Sequence, residues 1–249
     1  MWVDTHCHLQ LSDEEPGALL ERAHAAGVAW VVAPGTDLAT SLASRDLARA
    51  HPATVEPTAG LHPHDATRWD EEGDAITELA ADAAAVGECG LDFYRNLSPP
   101  DVQRSVFRHQ VELAAQLGKP VIVHCRDAFA DIHAILEATG AGPRAILHCW
   151  TGGPRWTRRF DDLGVTFSFA GPITFETGET IRRAAAAAPP ERTMVETDTP
   201  YLTPPPHRRE PNEPANVVRV GEALAAVWGV PIDETARLTT ATAERVFRG

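Results

Sequence analysis

Two histidines two positions apart stand near the start of the chain, where they close the short apolar run Val3-Asp4-Thr5-His6-Cys7-His8. Successive side chains of a β-strand point to opposite faces, so His6 and His8 would project together from the end of a strand. Imidazole is the commonest metal ligand among side chains, and two imidazoles side by side suit one divalent ion. The pair therefore predicts a metal site, with weak specificity if it stands alone.

Four further apolar runs end in the residue types that bind divalent metals. These runs are Val86-Gly87-Glu88, Val121-Ile122-Val123-His124, Ala145-Ile146-Leu147-His148 and Met194-Val195-Glu196-Thr197-Asp198. Three or four nitrogen and oxygen ligands suit one catalytic ion, whereas a larger set of histidines and carboxylates can hold a pair of ions with one carboxylate bridging. The sequence predicts one ring of ligands, namely His6, His8, Glu88, His124, His148 and Asp198.

The elements that must position these ligands follow from an alternation of short apolar runs with longer stretches rich in Ala, Leu, Arg and Glu, which is typical of repeated βα units. The predicted strands lie near 2–5, 29–33, 55–59, 84–88, 120–124, 144–148, 165–169 and 192–196. The predicted helices lie near 16–26, 38–50, 71–83, 99–118, 128–139, 154–162, 177–188, 213–228 and 232–247, with Asp37, Ser98 and Asp127 as candidate N-caps. Such units predict an α/β protein with a (β/α)8 TIM barrel, formed as a single domain by residues 1–249.

Composition narrows the classes of function. The chain has 249 residues and a formal net charge of −13, which argues against a broad surface that coats DNA. A pocket that grips one or two phosphates is compatible with this charge, because bound divalent ions would return positive charge there; an acidic protein with no anionic partner is the other possibility. No run of about 18 apolar residues is present for a membrane helix, and the candidate ligands begin at His6, which leaves no room for a cleaved signal peptide. We therefore expect a cytoplasmic protein with no membrane partner.

The cysteines each directly follow a candidate ligand, at Cys7, Cys89, Cys125 and Cys149. If the ligand points into a barrel, the next side chain points outward toward the helices. We therefore interpret the cysteines as buried packing residues rather than as metal ligands or disulfide partners. Trp150 has two interpretations, because it could stack on a nucleobase or pack in an aromatic core.

Motifs along almost the whole chain resemble the TatD family of metal-dependent deoxyribonucleases, which is grouped with the amidohydrolase-type metal-dependent barrels. In the family's order they are Asp4-Thr5-His6-Cys7-His8, Gly60-Leu61-His62-Pro63-His64, Gly87-Glu88-Cys89-Gly90-Leu91-Asp92-Phe93, His124-Cys125-Arg126-Asp127-Ala128, His148-Cys149-Trp150-Thr151-Gly152 and Glu196-Thr197-Asp198-Thr199-Pro200. The resemblance implies one ion held by His6, His8, Glu88 and Asp198. It also implies that Glu88 bridges to a second ion, held by His124 and His148. The two divalent ions could be Mg, Mn or Zn.

The resemblance also implies a route for catalysis. Two ions a few ångströms apart can bind a water, lower its pKa and neutralise the non-bridging oxygens of a phosphodiester while the water attacks in line. Asp198 and Glu88 are then the catalytic carboxylates. Asp198 would either orient or deprotonate the water or serve as a ligand alone, and the sequence leaves both roles open. Asp92 and Asp127 are candidates for residues that orient ligands or cap helices.

Candidate substrate contacts follow other strands at the same rim. His62, in the family's Gly-x-His-Pro motif, resembles a contact to a substrate phosphate, and local hydrogen bonding in its loop is the alternative. Arg126 and Arg209 are further candidate phosphate contacts. The chain departs from the family where Arg209-Glu210-Pro211 replaces a basic, Gly-Lys-Arg-like triplet, which lowers the positive charge. Arg208 and Arg209 can compensate, because a guanidinium grips phosphate with two prongs.

The leading hypothesis is a divalent-metal-dependent hydrolase of DNA phosphodiester bonds, acting as a 3′-5′ exodeoxyribonuclease. Ligands recessed in a barrel mouth suit a single-stranded or frayed DNA end better than the middle of a duplex. The alternative is a metal-dependent amidohydrolase, esterase or phosphotriesterase that acts on a small molecule, because the same metal pair activates water for those reactions. A binding protein on a decayed barrel is a third class, and the intact ligand set argues against it. Nothing in the sequence indicates an obligate protein partner.

Overall fold

The computed structural model describes residues 1–249 and contains eight strands in one sheet, each parallel to the next in the order β1 to β8. The strands are β1 Trp2–Asp4, β2 Val28–Ala33, β3 Val55–Ala59, β4 Ala85–Asp92, β5 Val121–Arg126, β6 Ala145–Leu147, β7 Thr166–Phe169 and β8 Thr193–Val195. The first and last strands share no continuous ladder, but a bridge between Cys7 and Thr199 and a few backbone hydrogen bonds join them. The sheet is therefore nearly closed into a barrel, which confirms the predicted TIM-barrel fold.

Helices connect successive strands and cover the outside of the sheet. They are α1 Pro16–Ala25, α2 Leu38–Ala50, α3 Trp69–Asp82, α4 Pro100–Leu117, α5 Phe129–Thr139, α6 Pro154–Asp161, α7 Glu179–Ala185, α8 Val217–Trp228 and α9 Ile232–Phe247. All the predicted elements are present, with their boundaries shifted by up to four residues. None of the helices alone has the length and apolar composition that crossing a membrane requires. The segments Pro214–Trp228 and Ile232–Phe247 meet that criterion only when they are counted together, and they are bent by 109° relative to each other.

Two apolar layers hold the barrel together. The larger lies between the sheet and the helices, and its largest fully buried side chains include Trp150, Phe107 and Phe160. A smaller cluster joins strand residues such as Ile122 to Phe247 of α9, so the last helix packs under the barrel. Burial of this apolar area is the main force that keeps the strand ends in register. The opposite, carboxyl ends of the strands carry the polar residues described next.

Candidate metal centre

Residues from five strand ends converge in a first and a second group of ligand atoms. In the first group the Nε2 atoms of His6 and His8 lie 3.2 Å apart. Asp198 Oδ1 lies 3.9 Å from the His6 nitrogen and 3.5 Å from the His8 nitrogen. Glu88 Oε2 completes this group at 3.3 Å from His6 Nε2 and 3.7 Å from His8 Nε2. These side chains follow β1 and β8 or lie on β4, as the sequence predicted.

The second group shares Glu88 through its other oxygen. Glu88 Oε1 lies 3.1 Å from His124 Nδ1 and 3.0 Å from His148 Nε2. The two imidazole nitrogens are themselves 3.4 Å apart. All six predicted ligands therefore lie together, and Glu88 presents one oxygen to each group.

The spacing of these atoms fits divalent metal ions. Atoms bound to one ion at roughly 2.1 Å lie roughly 3.0 to 3.5 Å apart in octahedral or tetrahedral geometry. The separations given above, from 3.0 to 3.9 Å, fall in or just beyond that range. Nitrogen and carboxylate oxygen are also the donors that Mg, Mn and Zn accept. The donor set thus fits two ions that share Glu88.

The protonation states of Glu88, Asp198 and His6 suit metal binding. Burial raises the pKa of Glu88, but the neighbouring histidines, above all His148, hold it well below its usual value. Burial likewise raises the pKa of Asp198, and the hydrogen bond from His8 and the charge of His6 more than offset it, so the pKa is lowered. Both carboxylates are therefore ionised at neutral pH. Burial lowers the pKa of His6, which keeps its imidazole neutral and a nitrogen lone pair available.

Two further buried carboxylates stand behind the histidines of the second group. His124 Nε2 donates to Asp92 Oδ2 at 3.2 Å, and His148 Nδ1 donates to Glu196 Oε1 at 3.3 Å. Each bond leaves the opposite ring nitrogen to face Glu88, as outer-shell carboxylates do in metal sites. Asp92 also accepts from His64 Nε2 at 2.9 Å, which fits its predicted orienting role.

Glu196 is the residue that our reading of the sequence missed. It is fully buried; its Oε1 also accepts from the backbone N–H of Cys149 at 2.7 Å, and its Oε2 has no partner. A signal was present, because Glu196 stands two residues before Asp198 and therefore on the same face of an extended chain. The predicted ring of ligands includes only the last carboxylate of that run, Asp198.

Gly90 lets β4 continue past Glu88 beside β5. The pairing of β4 with β5 shifts register between Val86 and Cys89. Gly90 has a φ of 138°, and a Cβ there would lie 2.0 Å from the backbone oxygen of His124. Only glycine permits this conformation and this approach. The strand consequently runs on to Asp92 instead of ending at residue 88, which brings Glu88 and Asp92 onto one strand.

The seam between β1 and β8 is held by Asp4. This residue is fully buried, and its Oδ1 accepts from the backbone N–H groups of His6 at 3.3 Å and Thr197 at 2.9 Å. Its Oδ2 accepts from the Thr197 hydroxyl at 2.6 Å. Asp198 follows directly with a φ of 60°, and its N–H donates to the His6 carbonyl at 2.9 Å. Ligands from opposite ends of the chain are thus fixed to one another.

His62 lies in the buried centre rather than out on the rim. Its Nε2 is 3.4 Å from Glu88 Oε1, and one ligand atom each of His62, Glu88 and His124 lie within 4.8 Å of one another. Its Nδ1 accepts from the N–H of His64 at 3.2 Å, so the local hydrogen bond considered from the sequence is present as well. Burial lowers the pKa of His62 to about 4, and the ring is neutral at pH 7.

The two candidate arginines lie outside, on the rim, by which we mean the carboxyl ends of the strands and the loops that follow them. Arg126 is exposed, and its guanidinium lies over the ring of Tyr94 at 4.0 Å from the centroid. Arg209 is exposed on the loop after β8, beside Arg208, which lies over the ring of Phe175 at 3.3 Å. The structure therefore separates the buried His62 from the exposed arginines.

Trp150 belongs to the core, so the base-stacking interpretation is wrong. Its side chain is 1% exposed and packs against Phe129 and Phe160. Its indole N–H donates to the Thr157 hydroxyl at 2.9 Å, which satisfies its one polar group. The four cysteines are free thiols, and Cys7 and Cys89 are fully buried, in agreement with a packing role.

The whole chain is similar to known proteins of one family. Residues 3–248 match the family described as "TatD related DNase". The chain is 37% identical to "Uncharacterized metal-dependent hydrolase YabD" of Bacillus subtilis (strain 168), over 100% of this chain and 99% of that protein. It is 38% identical to "3'-5' ssDNA/RNA exonuclease TatD" of Citrobacter rodentium (strain ICC168), over 92% of this chain and 90% of that protein. The crystal structure of YJJV, a TatD homologue from Escherichia coli K12, superposes with a TM-score of 0.89 and 26% identity, covering 100% and 98% of the two chains.

Proposed function

Because the chain belongs to the TatD related DNase family and is a metal-dependent hydrolase, we propose that it shortens DNA from a 3′ end. The observation that carries the proposal is the division of the Glu88 carboxylate, whose two oxygens face two separate groups of ligand atoms. Two ions that share one bridging carboxylate are the arrangement that suits in-line attack of a water on a phosphodiester. The relative from Citrobacter rodentium, named as a 3′-5′ ssDNA/RNA exonuclease, supports both the substrate and the polarity.

The residues of the site take distinct roles in this proposal. When bound, the ions supply an acidified water and neutralise charge on the phosphate. The side chain of Asp198 is 15% exposed and that of Glu88 only 4%, so Asp198 is the carboxylate that a water in the mouth can reach. Asp198 orients that water and accepts its proton, while Glu88 holds the two ligand groups at a fixed distance. His62, beside Glu88 and neutral, donates to a substrate phosphate oxygen, and Arg126 and Arg209 contact phosphates farther out.

The substrate is the only partner that this proposal requires. A cytoplasmic location, the absence of a membrane partner and the absence of an obligate protein partner belong to the proposal as we predicted them from the sequence.

A small-molecule hydrolase is the second candidate. The net charge of −13 favours it, as does Glu210, which pairs with His207 at 3.0 Å and places an acidic group on the rim beside Arg209. Both features reduce attraction to a polyanion. In this alternative the same centre would hydrolyse an amide, an ester or a phosphotriester.

The deciding experiment uses a single-stranded oligonucleotide labelled at its 5′ end. Protein stripped by a chelator is supplied with Mg, Mn or Zn one at a time, and Asp198→Ala purified in parallel controls for contaminating nucleases. We expect metal-dependent ladders that shorten from the 3′ end and stop at a 3′-terminal phosphorothioate. Shortening of the 5′-labelled strand to a mononucleotide in one step would reverse the polarity. Absence of cleavage by protein that binds two ions per chain would favour the small-molecule hydrolase.

A further inference from the structure

Several exposed apolar side chains lie on loops at the mouth of the barrel. Six large apolar residues are markedly exposed, namely Met1 67%, Leu11 41%, Tyr94 62%, Leu97 63%, Tyr201 54% and Ile232 50%. Four of the six lie on the loops after β1, β4 and β8, on the side of the metal centre. Exposed apolar side chains on the same side as a candidate metal centre are candidates for contact with its substrate.

Tyr201 lies beside the metal centre. Its ring centroid lies 6.3 Å from that of the ligand His8, with an angle of 70° between the rings. Its backbone is fixed, because its N–H donates to the Asp198 carbonyl at 2.8 Å and its carbonyl accepts from Asn212 Nδ2 at 2.7 Å. An exposed aromatic ring on a fixed backbone beside the ligands is a platform for a planar group.

Tyr94 supports a cation on another part of the rim. The guanidinium carbon of Arg126 lies over its ring at 4.0 Å from the centroid, and Arg126 is two residues beyond the candidate ligand His124. No carboxylate lies within ion-pair distance of Arg126, so its N–H groups remain available to an anion. A ring that holds a guanidinium in place lowers the entropy lost when that guanidinium binds. The loops after β7 and β8 repeat the arrangement with Phe175 and Arg208, at 3.3 Å.

We propose that the mouth is a binding surface for an unpaired nucleic-acid end. Tyr201 stacks on the base next to the scissile bond, and Arg126, supported by Tyr94, binds the phosphate of a neighbouring nucleotide. Exposed rings match base faces, and unpaired guanidinium groups match phosphates, which together select a single strand, because a duplex hides its base faces. This inference rests on the proposed function and adds to it the means by which the substrate is recognised.

The test compares two single-stranded oligonucleotides. One carries bases on its two 3′-terminal nucleotides, and in the other these two nucleotides are abasic. Tyr201→Ala is expected to slow cleavage of the oligonucleotide with bases about tenfold, as loss of one stacked base predicts, and to leave the abasic one unaffected. Tyr201→Phe should restore the preference for bases. Arg126→Ala should slow cleavage of both oligonucleotides by a similar factor, because both carry the phosphate. Ile232→Ala, an equally exposed site far from the mouth, is the matched control.

The outcomes separate this inference from the proposed function. Equal effects of Tyr201→Ala on both oligonucleotides, or no effect on either, would overturn the stacking role. If the wild-type protein cleaves neither oligonucleotide, the proposed function fails. Fluorescence anisotropy of the same two oligonucleotides then decides the inference: the wild-type protein must bind the one with bases more tightly than the abasic one, and Tyr201→Ala must abolish this difference. If sedimentation instead shows self-association that Tyr94→Ala and Tyr201→Ala abolish, the surface binds a second copy of the chain and the inference is wrong.

Discussion

At the scale of single residues, the histidines of the second group use different ring nitrogens, and the carboxylates behind them decide which. Asp92 accepts a hydrogen bond from Nε2 of His124, so Nδ1 of that ring faces Glu88. Glu196 accepts one from Nδ1 of His148, so Nε2 of that ring faces Glu88. An ionised carboxylate only accepts hydrogen bonds, so each bond fixes the tautomer and directs the lone pair inward. The pKa of Asp92, raised by burial but lowered further by the bonds from His124, lies below its usual value, which keeps it ionised.

Glu196→Gln tests this arrangement, because it preserves the shape of the side chain and removes its charge. We expect affinity for the second ion to fall about 10- to 100-fold, with a smaller effect on the first. Competition against a chromophoric chelator measures the two stepwise affinities without any substrate. Glu210→Gln makes the same charge change on an exposed rim residue and serves as control. Unchanged affinity for both ions would remove Glu196 from the metal centre.

Glu88→Ala and Asp198→Ala should differ in the number of ions lost. Glu88 faces both groups of ligand atoms, while Asp198 faces only the first. At a free metal concentration that gives two ions per wild-type chain, we expect Glu88→Ala to lose most of both and Asp198→Ala to keep one. Metal analysis after gel filtration gives the count. A Glu88→Ala protein that retains two ions would show that Glu88 does not bridge.

At the scale of elements, helix α2 begins with a complete capping box. Asp37 Oδ1 accepts from the N–H of Thr40 at 2.8 Å, and the Thr40 hydroxyl accepts from the N–H of Asp37 at 2.9 Å. The other candidate caps are wrong: α4 and α5 begin after Pro99 and Ala128 with no side-chain cap. Ser98 instead donates to the His64 carbonyl at 2.8 Å, which ties the loop after β4 to the loop after β3.

The cap at Asp37 should make stability depend on pH. Burial raises the pKa of Asp37, but the hydrogen bonds from Thr40 and the charge of Arg68 more than offset it, so the pKa is lowered. A lowered carboxylate pKa adds stability above the unfolded value of about 3.9 and loses it as pH falls through the folded value. Asp37→Ala should therefore cost about 1 kcal/mol at pH 7 and progressively less below pH 4.

Urea unfolding of chelator-treated protein between pH 7 and pH 3 measures this dependence. Asp37→Asn keeps a capping oxygen without a titrating group, so its free energy of unfolding relative to Asp37→Ala should not change with pH. Asp13→Ala removes an exposed carboxylate that makes no hydrogen bond and should be neutral. A constant difference between wild type and Asp37→Ala across the pH range would contradict the ionic cap.

The elements and the convergence of the six candidate ligands were predictable because both depend on local patterns. Apolar runs marked the strands, and each ligand was recognisable at the end of its run. Glu196 was not, because its role depends on a contact with His148, 48 positions away in sequence. The extension of β4 to Asp92 depends on Gly90, whose close approach to β5 no local pattern reveals. The role of Trp150 could not be predicted, because the choice between core packing and base stacking depends on whether the side chain is buried.

At the scale of the whole molecule, the ions would join strands that the sheet itself joins weakly. The first group combines ligands after β1 and β8 with Glu88 on β4, and β1 and β8 share no continuous ladder but are joined by the Cys7–Thr199 bridge and a few hydrogen bonds. The second group connects β4, β5 and β6, which already pair side by side in the sheet. Metal binding should therefore stabilise the seam between β1 and β8 more than the rest of the barrel.

Thermal unfolding and hydrogen exchange measure the two parts of this prediction. Metal at one hundred times its dissociation constant should stabilise the fold by about 2.7 kcal/mol per ion, or raise Tm by roughly 5 to 10 °C in a chain of this length. The amides of Thr5 and Asp198, which donate across the seam, should gain protection in metal, whereas Val31, which donates from β2 to the Thr54 carbonyl, should change less. Glu88→Ala should abolish both effects. A Tm that is independent of metal, or protection that rises equally everywhere, would mean that the barrel closes without help from the ions.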